Sequence, residues 1–342
     1  MGYSSYSGDA AKHLYSARSS MKVDDVFKAK ATHVALDPKN LKANPNDPMG
    51  VKMRVSRDSD KHPESNAIAV FFDVTGSMGD VPRQFAMNDK GGLGGLMRHI
   101  TTHNYIPHPQ LFFGAIGDHR AGDRSPLQVG EFESGMEMDE HLTSLHLEGG
   151  GGGGHRESYE LAFYFAARHI AMDCLEKRGK KGYLFLIGDE SPYDSVSKND
   201  VKNLLGSDES IQGDIKVEEI IAECQEKFEV FFIFCDIKSY PPDTVKEIKA
   251  RWKELMGERM LILENPAHVC ELIGITVGTN ESGDLDAAYR DLIKTGSDKK
   301  AADAAKNALV PYLNASGTSL KKGSVSGGLP SLAGKGGVTE KL

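Results

Sequence analysis

The stretch Ala67-Ile-Ala-Val-Phe-Phe-Asp73 constrains the fold more than any other part of the chain. Its first six residues are all apolar, and Ile68, Val70, Phe71 and Phe72 are β-branched or aromatic. A strand made from them has no polar face and must be covered on both sides, as in the interior of a parallel sheet. Five more runs read as strands: Leu111–Ile116, Pro126–Phe132, Tyr183–Ile187, Glu229–Cys235 and Arg259–Leu263. Helical spacing falls between them. Val217, Ile220, Ile221, Cys224 and Phe228 recur on one face, as do Val245, Ile248, Trp252, Leu255 and Met256, while Leu161–Ala167 is apolar nearly all round. Such alternation implies an α/β fold: a doubly wound, Rossmann-like, mostly parallel six-stranded sheet with helices on both faces.

The rest of the chain divides around this core. Residues 1–65 are polar and broken by Asp37-Pro38 and Asn44-Pro-Asn-Asp-Pro48, which predicts an extended N-terminal arm. Residues 66–278 form the α/β domain, and 279–315 a helical extension rich in Ala and Lys. Residues 316–342, rich in Gly and Ser and without an aromatic side chain, read as a disordered tail.

Charge and sulfur narrow the setting. A net charge of −8 argues against wholesale nucleic-acid binding, which depends on neutralising phosphates. No apolar stretch approaches the roughly 18 residues of a membrane span, and the first residues resemble neither a secretory signal nor a myristoylation site. Cys174, Cys224, Cys235 and Cys270 each sit in apolar surroundings with no close pair, as expected of buried free thiols in a reducing, cytoplasmic compartment.

Ligands of open α/β sheets bind beyond the carboxyl ends of the strands. The first strand leads into Asp73-Val-Thr-Gly-Ser-Met-Gly79, with Asp73, Thr75 and Ser77 at alternate positions. These are hard oxygen donors suited to Mg²⁺, Mn²⁺ or Ca²⁺, although the same residue types also cap helices. Gly117-Asp118-His119 and Gly188-Asp189-Glu-Ser-Pro-Tyr-Asp194 follow two other strands and would carry further carboxylates to the same edge. Gly149–Gly154 precedes the most apolar helix. Its backbone amides offer either an anion site or a flexible connection. The glycines Gly91–Gly95 fall inside the predicted first helix and mark close packing or a break. The pairs His99/His103 and His141/His146 read as solvated or capping residues, and Trp252 as core.

On these residues the chain resembles the von Willebrand factor type A domain, whose Asp-x-Ser-x-Ser signature stands here as Asp73-x-Thr75-x-Ser77. Together with Gly-Asp-His and the polyglycine loop, it looks like the family's intracellular prokaryotic and viral members. The resemblance spans residues 66–278 and implies a metal-ion-dependent adhesion site held by Asp73, Thr75, Ser77 and Asp189. The family's further Thr is absent from 149–158, so His155, Glu157, Ser158 or Asp118 stands in its place. The function implied is cation-dependent capture of a partner's Asp or Glu, the partner being an AAA+ ATPase or a large intracellular assembly. The alternative is a haloacid-dehalogenase-like phosphatase with Asp73 as nucleophile and Asp189 and Asp194 on Mg²⁺. There Thr75 occupies the place of the general acid, a task a hydroxyl cannot perform near neutral pH.

Overall fold

The computed structural model describes residues 4–42, 52–78, 80–88, 91–150, 154–206 and 211–316. The expected tail therefore lies, beyond Ser316, outside the described residues. At the centre is a six-stranded sheet of β1 (Asn66–Asp73), β2 (Pro109–Ile116), β3 (Leu127–Val129), β4 (Gly182–Gly188), β5 (Phe228–Cys235) and β6 (Met260–Leu263). Their order is β6-β5-β4-β1-β2-β3, and every pairing is parallel except that of β3 with β2.

The helices α1 (Gly8–Arg18), α2 (Asp80–Met87), α3 (Leu93–Thr102), α4 (Glu137–Thr143), α5 (Tyr159–His169), α6 (Val217–Lys227), α7 (Pro242–Met256), α8 (Val269–Ser282), α9 (Leu285–Lys294) and α10 (Lys299–Ala315) surround it. Alternation along β1 splits the core in two. Ile68, Val70 and Phe72 join side chains from α1–α4 and α8–α10, whereas Ala67, Ala69 and Phe71 join those of α5, α6 and α7. Burying a side chain such as Phe72 or Phe112 contributes roughly 2–3 kcal/mol, and every residue of β1 is buried.

Five of the strands lie within two residues of their predicted bounds. The expected strand Pro126–Phe132 is shorter, Leu127–Val129, because the regular pairing with Gly114, Ala115 and Ile116 is broken after Gly130, whose amide bonds the Phe113 carbonyl at 2.9 Å, and resumes only where Glu133 pairs with Leu111. Its outer side is covered by the N-terminal segment, Leu36 accepting a bond from the Val129 amide at 2.8 Å. That segment is not extended throughout. Ser7 caps α1, Tyr15 is fully buried, and Arg18 pairs with Asp139 at 2.7 Å.

The predicted first helix is interrupted, and Met87 and Leu93 bound the break. Gly94 then packs so close to Tyr15 that an added Cβ would lie 3.0 Å from its ring. The solvated or capping role expected of the histidines needs correction at two positions. His99 is fully buried in α3 against α8, with both ring nitrogens unpartnered, and His146 is buried with Nδ1 3.0 Å from the Ala29 carbonyl. The four cysteines are free and buried. Trp252 is core, stacked on Phe232 at 3.5 Å. Among the described residues no helix is long and apolar enough to cross a membrane.

Candidate functional site

Sheet register assembles the site. Phe72 pairs with Ile187, so the next residues along, Asp73 and Gly188, are neighbours at the carboxyl edge, and Asp189 lies one step beyond. The Asp73 carboxylate is fully buried. Its Oδ1 accepts bonds from the Thr75 amide at 2.9 Å and the Thr75 hydroxyl at 2.6 Å, and its Oδ2 from the Tyr159 hydroxyl at 2.6 Å. Ser77 donates its hydroxyl to Asp189 Oδ1 at 3.0 Å. The loops after β1 and β4 thus meet through side chains, as the sequence led us to expect of Asp73, Thr75, Ser77 and Asp189.

Gly149 and Gly150, at the start of the polyglycine run, are docked onto this corner. Gly150 accepts a bond from the Gly76 amide at 2.7 Å, and the Gly149 amide reaches the Val74 carbonyl at 3.2 Å. Gly149 and Gly150 have φ of 60° and 79°, a region that side chains disfavour. A Cβ at Gly76 would lie 2.4 Å from the Gly150 oxygen.

The further candidates part company. Glu157 is buried, with Oε2 unpartnered, and it faces the carboxylates of Asp73 and Glu190. Asp118 is buried to one side, where it accepts from the Tyr193 hydroxyl at 2.9 Å and the Arg120 amide at 2.9 Å. Ser158 points elsewhere, its hydroxyl accepting from the His119 amide at 3.1 Å. His155 is exposed and rests edge-on against Tyr240, ring centres 4.7 Å apart.

The result is a pool of buried carboxylates that repel one another. Burial, then the charge of Asp73, raises Asp189 to about 8. Burial, then the bond from Tyr240 and the repulsion of Asp73 and Asp118, leaves Glu190 at about 7. Burial and its acidic neighbours push Glu157 well up, and burial raises Asp73 despite the donors it collects. Asp189 Oδ2 is buried without a partner, like Glu157 Oε2. Groups so placed hold protons near neutral pH or take up a cation. Among the described residues, no three His, Cys, Asp or Glu side chains converge in a geometry that would hold a metal by themselves.

Three residues of this corner escaped the sequence reading. Tyr159 opens the most buried helix, and a buried Tyr hydroxyl requires a polar partner. That requirement was the available signal, but it does not name Asp73. Glu190 follows Asp189 directly. Its carboxylate bonds Tyr240, and its carbonyl accepts from Trp252 Nε1 at 2.6 Å. Gly188 is required by contact, since a Cβ there would lie 1.9 Å from the Tyr159 oxygen.

No family model and no curated protein matches the chain. Among solved structures, it is similar to the pilus adhesin SpaC from Lactobacillus rhamnosus GG. An open-conformation structure matches at 11% identity and a TM-score of 0.42, covering 66% of this chain and 31% of the adhesin. A second crystal form matches at 12% and 0.41, covering 66% and 32%. The chain spans about a third of the length of these structures.

Proposed function

We propose that the protein is a metal-ion-dependent binding module of the von Willebrand factor type A kind, built on a doubly wound sheet, which captures an acidic side chain of a protein partner. The observation that carries this reading is the pairing of unpartnered, buried carboxylate oxygens, on Asp189 and Glu157, with the hydroxyls of Thr75 and Ser77 around Asp73. That donor set suits a hard divalent cation, whose charge would offset the burial and mutual repulsion that raise these carboxyl groups. Asp73, Thr75, Ser77 and Asp189 would hold Mg²⁺, with Mn²⁺ or Ca²⁺ as alternatives, and Glu157 would add charge from behind. Held there, such an ion would offer its positive charge to a partner's Asp or Glu.

The chain's own residues do the positioning. Tyr159 fixes Oδ2 of Asp73, Thr75 fixes Oδ1, and Ser77 aligns Asp189. The phosphatase alternative places Asp194 on the metal, yet that side chain is 67% exposed and paired with Arg156 at 2.8 Å. An AAA+ ATPase or a large cytoplasmic assembly remains the kind of partner the family resemblance implies.

The deciding experiment is calorimetric titration of the chelator-treated protein with magnesium, manganese and calcium, followed by partner capture from native lysate with and without chelator. Heat of binding that disappears in Asp73→Ala, together with chelator-sensitive capture, supports the module. Absence of binding heat for all three ions overturns it, and turnover of a generic phosphate ester that is lost in Asp73→Asn would favour the enzyme.

A further inference from the structure

The two edges of the central sheet are finished differently. Beyond β3 the N-terminal segment closes one edge, Leu36 accepting a bond from the Val129 amide at 2.8 Å. Beyond β6, among the described residues, no further strand pairs with the sheet. Asp236 donates its amide to the Leu263 carbonyl at 2.9 Å. Leu263 therefore turns its backbone groups toward β5, and by alternation Ile262 turns its amide and carbonyl away from the sheet, as edge residues do. The Ile262 side chain is 43% exposed, although Met260, Leu261 and Leu263 are buried. Outward backbone groups and an open apolar side chain thus coincide at one residue.

Ile262 lines a slot of about 680 Å³. Lys253 of α7 borders it from one face of the sheet, and Ala304, Ala308 and Pro311 of α10 from the other. A slot of that size between two helices admits a single strand, not a second sheet carrying helices of its own. Its charges balance. Lys253 pairs with Glu258, which leaves Lys300 and Glu264 with opposite signs, so an uncharged strand suits it.

The chain itself supplies one. Helix α10 runs antiparallel to β6. The Arg259 guanidinium, just before the strand, lies over the Tyr312 ring near the end of α10, 5.3 Å from its centre. Asp298 and Lys300, at the start of α10, are within electrostatic reach of His268, just after the strand. The chain therefore leaves α10 at Ser316 near the amino end of β6, and a strand that follows would run parallel to β6, as the sheet's other crossovers do. Gly317 follows the C-cap Ser316, the position where glycine most often turns a chain out of a helix. Residues 316–322 reach up to about 23 Å when extended, ample for the return, since β6 itself spans only about 13 Å. Next comes Gly323-Ser-Val-Ser-Gly-Gly328, which carries no charge and one β-branched apolar residue, Val325.

We propose that Gly323–Gly328 docks in this slot as a seventh strand, parallel to β6, with Val325 beside Ile262. Adjacent positions on paired strands share a face, so Val325 covers the open Ile262 side chain on the α7 side. Ser324 and Ser326 turn toward Ala304 and Ala308, whose small side chains leave room for the added backbone. The segment carries too little apolar surface to form a core of its own, and the slot supplies the missing one. The short tether to α10 holds it there at an effective concentration of about millimolar.

The test is amide hydrogen exchange of the full chain, read residue by residue and compared with a free peptide of residues 317–342. The amides of Ser324–Ser326 should exchange about tenfold or more slowly than in the peptide, as expected of a few added hydrogen bonds. Ile262→Pro removes the outward amide and leaves the pairing with β5 in place, since proline is tolerated where an edge amide faces away from the sheet. It should return those amides to the peptide's rates, while slow exchange in β5 shows that the fold is kept. Val325→Asp alters none of the described residues and should do the same, which decides the matter should Ile262→Pro fail to fold. Peptide-like rates at Ser324–Ser326 in the unaltered chain overturn the proposal. So does protection there that survives both variants. Protection of Ile262 that grows with protein concentration and is unmoved by Val325→Asp assigns the slot to a second copy of the chain instead, and also overturns it.

Discussion

Tyr159 donates its hydroxyl proton to Asp73 Oδ2 at 2.6 Å, and it reaches that oxygen only because residue 188 carries no side chain. The bond ties the first turn of α5 to the end of β1, past Gly188 at the end of the neighbouring β4. Asp73 is thereby held by donors on both oxygens before any ion is considered.

Loss of this bond should be measurable as stability. Tyr159→Phe leaves a buried carboxylate short of one donor, at a cost of about 1–3 kcal/mol. Gly188→Ala would place a methyl 1.9 Å from the Tyr159 oxygen and should cost at least as much, because the ring must leave. Both variants break this bond, but the added methyl would also lie 2.6 Å from the ring carbon Cζ that Tyr159→Phe keeps, so in urea denaturation the double variant should fall short of the sum only by the share of the hydrogen bond. Full additivity would show that Gly188→Ala leaves that bond intact.

The acidic corner sets a pH dependence that a cation should reverse. Asp189 ionises near 8 in the folded chain, against 3.8 when unperturbed. Between those values the folded state keeps a proton that the unfolded chain has released, so stability falls as pH rises through that window. In chelator, the urea midpoint should therefore drop from pH 5 to pH 8, and Asp189→Asn should flatten the drop. Magnesium should restore stability chiefly at the upper end, where protons no longer compete. A metal-free midpoint that climbs across the same range contradicts the account.

Glu271 provides a control on the other side of the sheet. It is buried in α8 with Oε2 unpartnered, and burial raises it to about 7 from 4.5. It too makes the folded chain the better proton binder, so its contribution is present below 4.5 and lost as pH passes 7. The difference amounts to about 3 kcal/mol. Glu271→Gln should remove that share of the pH dependence, and magnesium should make no difference to it. An effect of magnesium on the Glu271→Gln increment would mean that the two regions are coupled.

The parts of this architecture legible in the sequence are those fixed by local pattern. Phe71 and Phe72 announce a strand buried on both faces because no arrangement with one face in water accommodates them. Asp73, Thr75, Ser77 and Asp189 follow from strand ends, since chain direction in a parallel sheet puts those ends on one edge. What stayed hidden depends on partners distant in sequence. Tyr15 is polar enough to read as arm, yet it is buried because α3 offers Gly94. His99 looks like a surface histidine until α8 covers it. Glu157 and Arg156 are adjacent in sequence, and only their pairing with Ser191 and Pro192 decides which turns toward Asp73.

The polyglycine segment permits a last test that separates the loop from the ligands themselves. Gly76 donates its amide to Gly150, and its own Cα faces the same carbonyl so closely that a Cβ would lie 2.4 Å from that oxygen. Gly76→Ala must therefore push Gly150 away, while Asp73, Thr75, Ser77 and Asp189 keep their side chains. Because Gly149 also bonds the Val74 carbonyl, the displacement pulls on the backbone between Asp73 and Thr75. The buried strands are untouched, so the melting temperature without metal should fall only modestly. The magnesium-dependent rise should shrink markedly, since ligand positions slip when their loop is no longer clamped. Thermal melts of both proteins with chelator and with magnesium supply the comparison. An undiminished rise in Gly76→Ala would mean that the glycines connect elements without shaping the site.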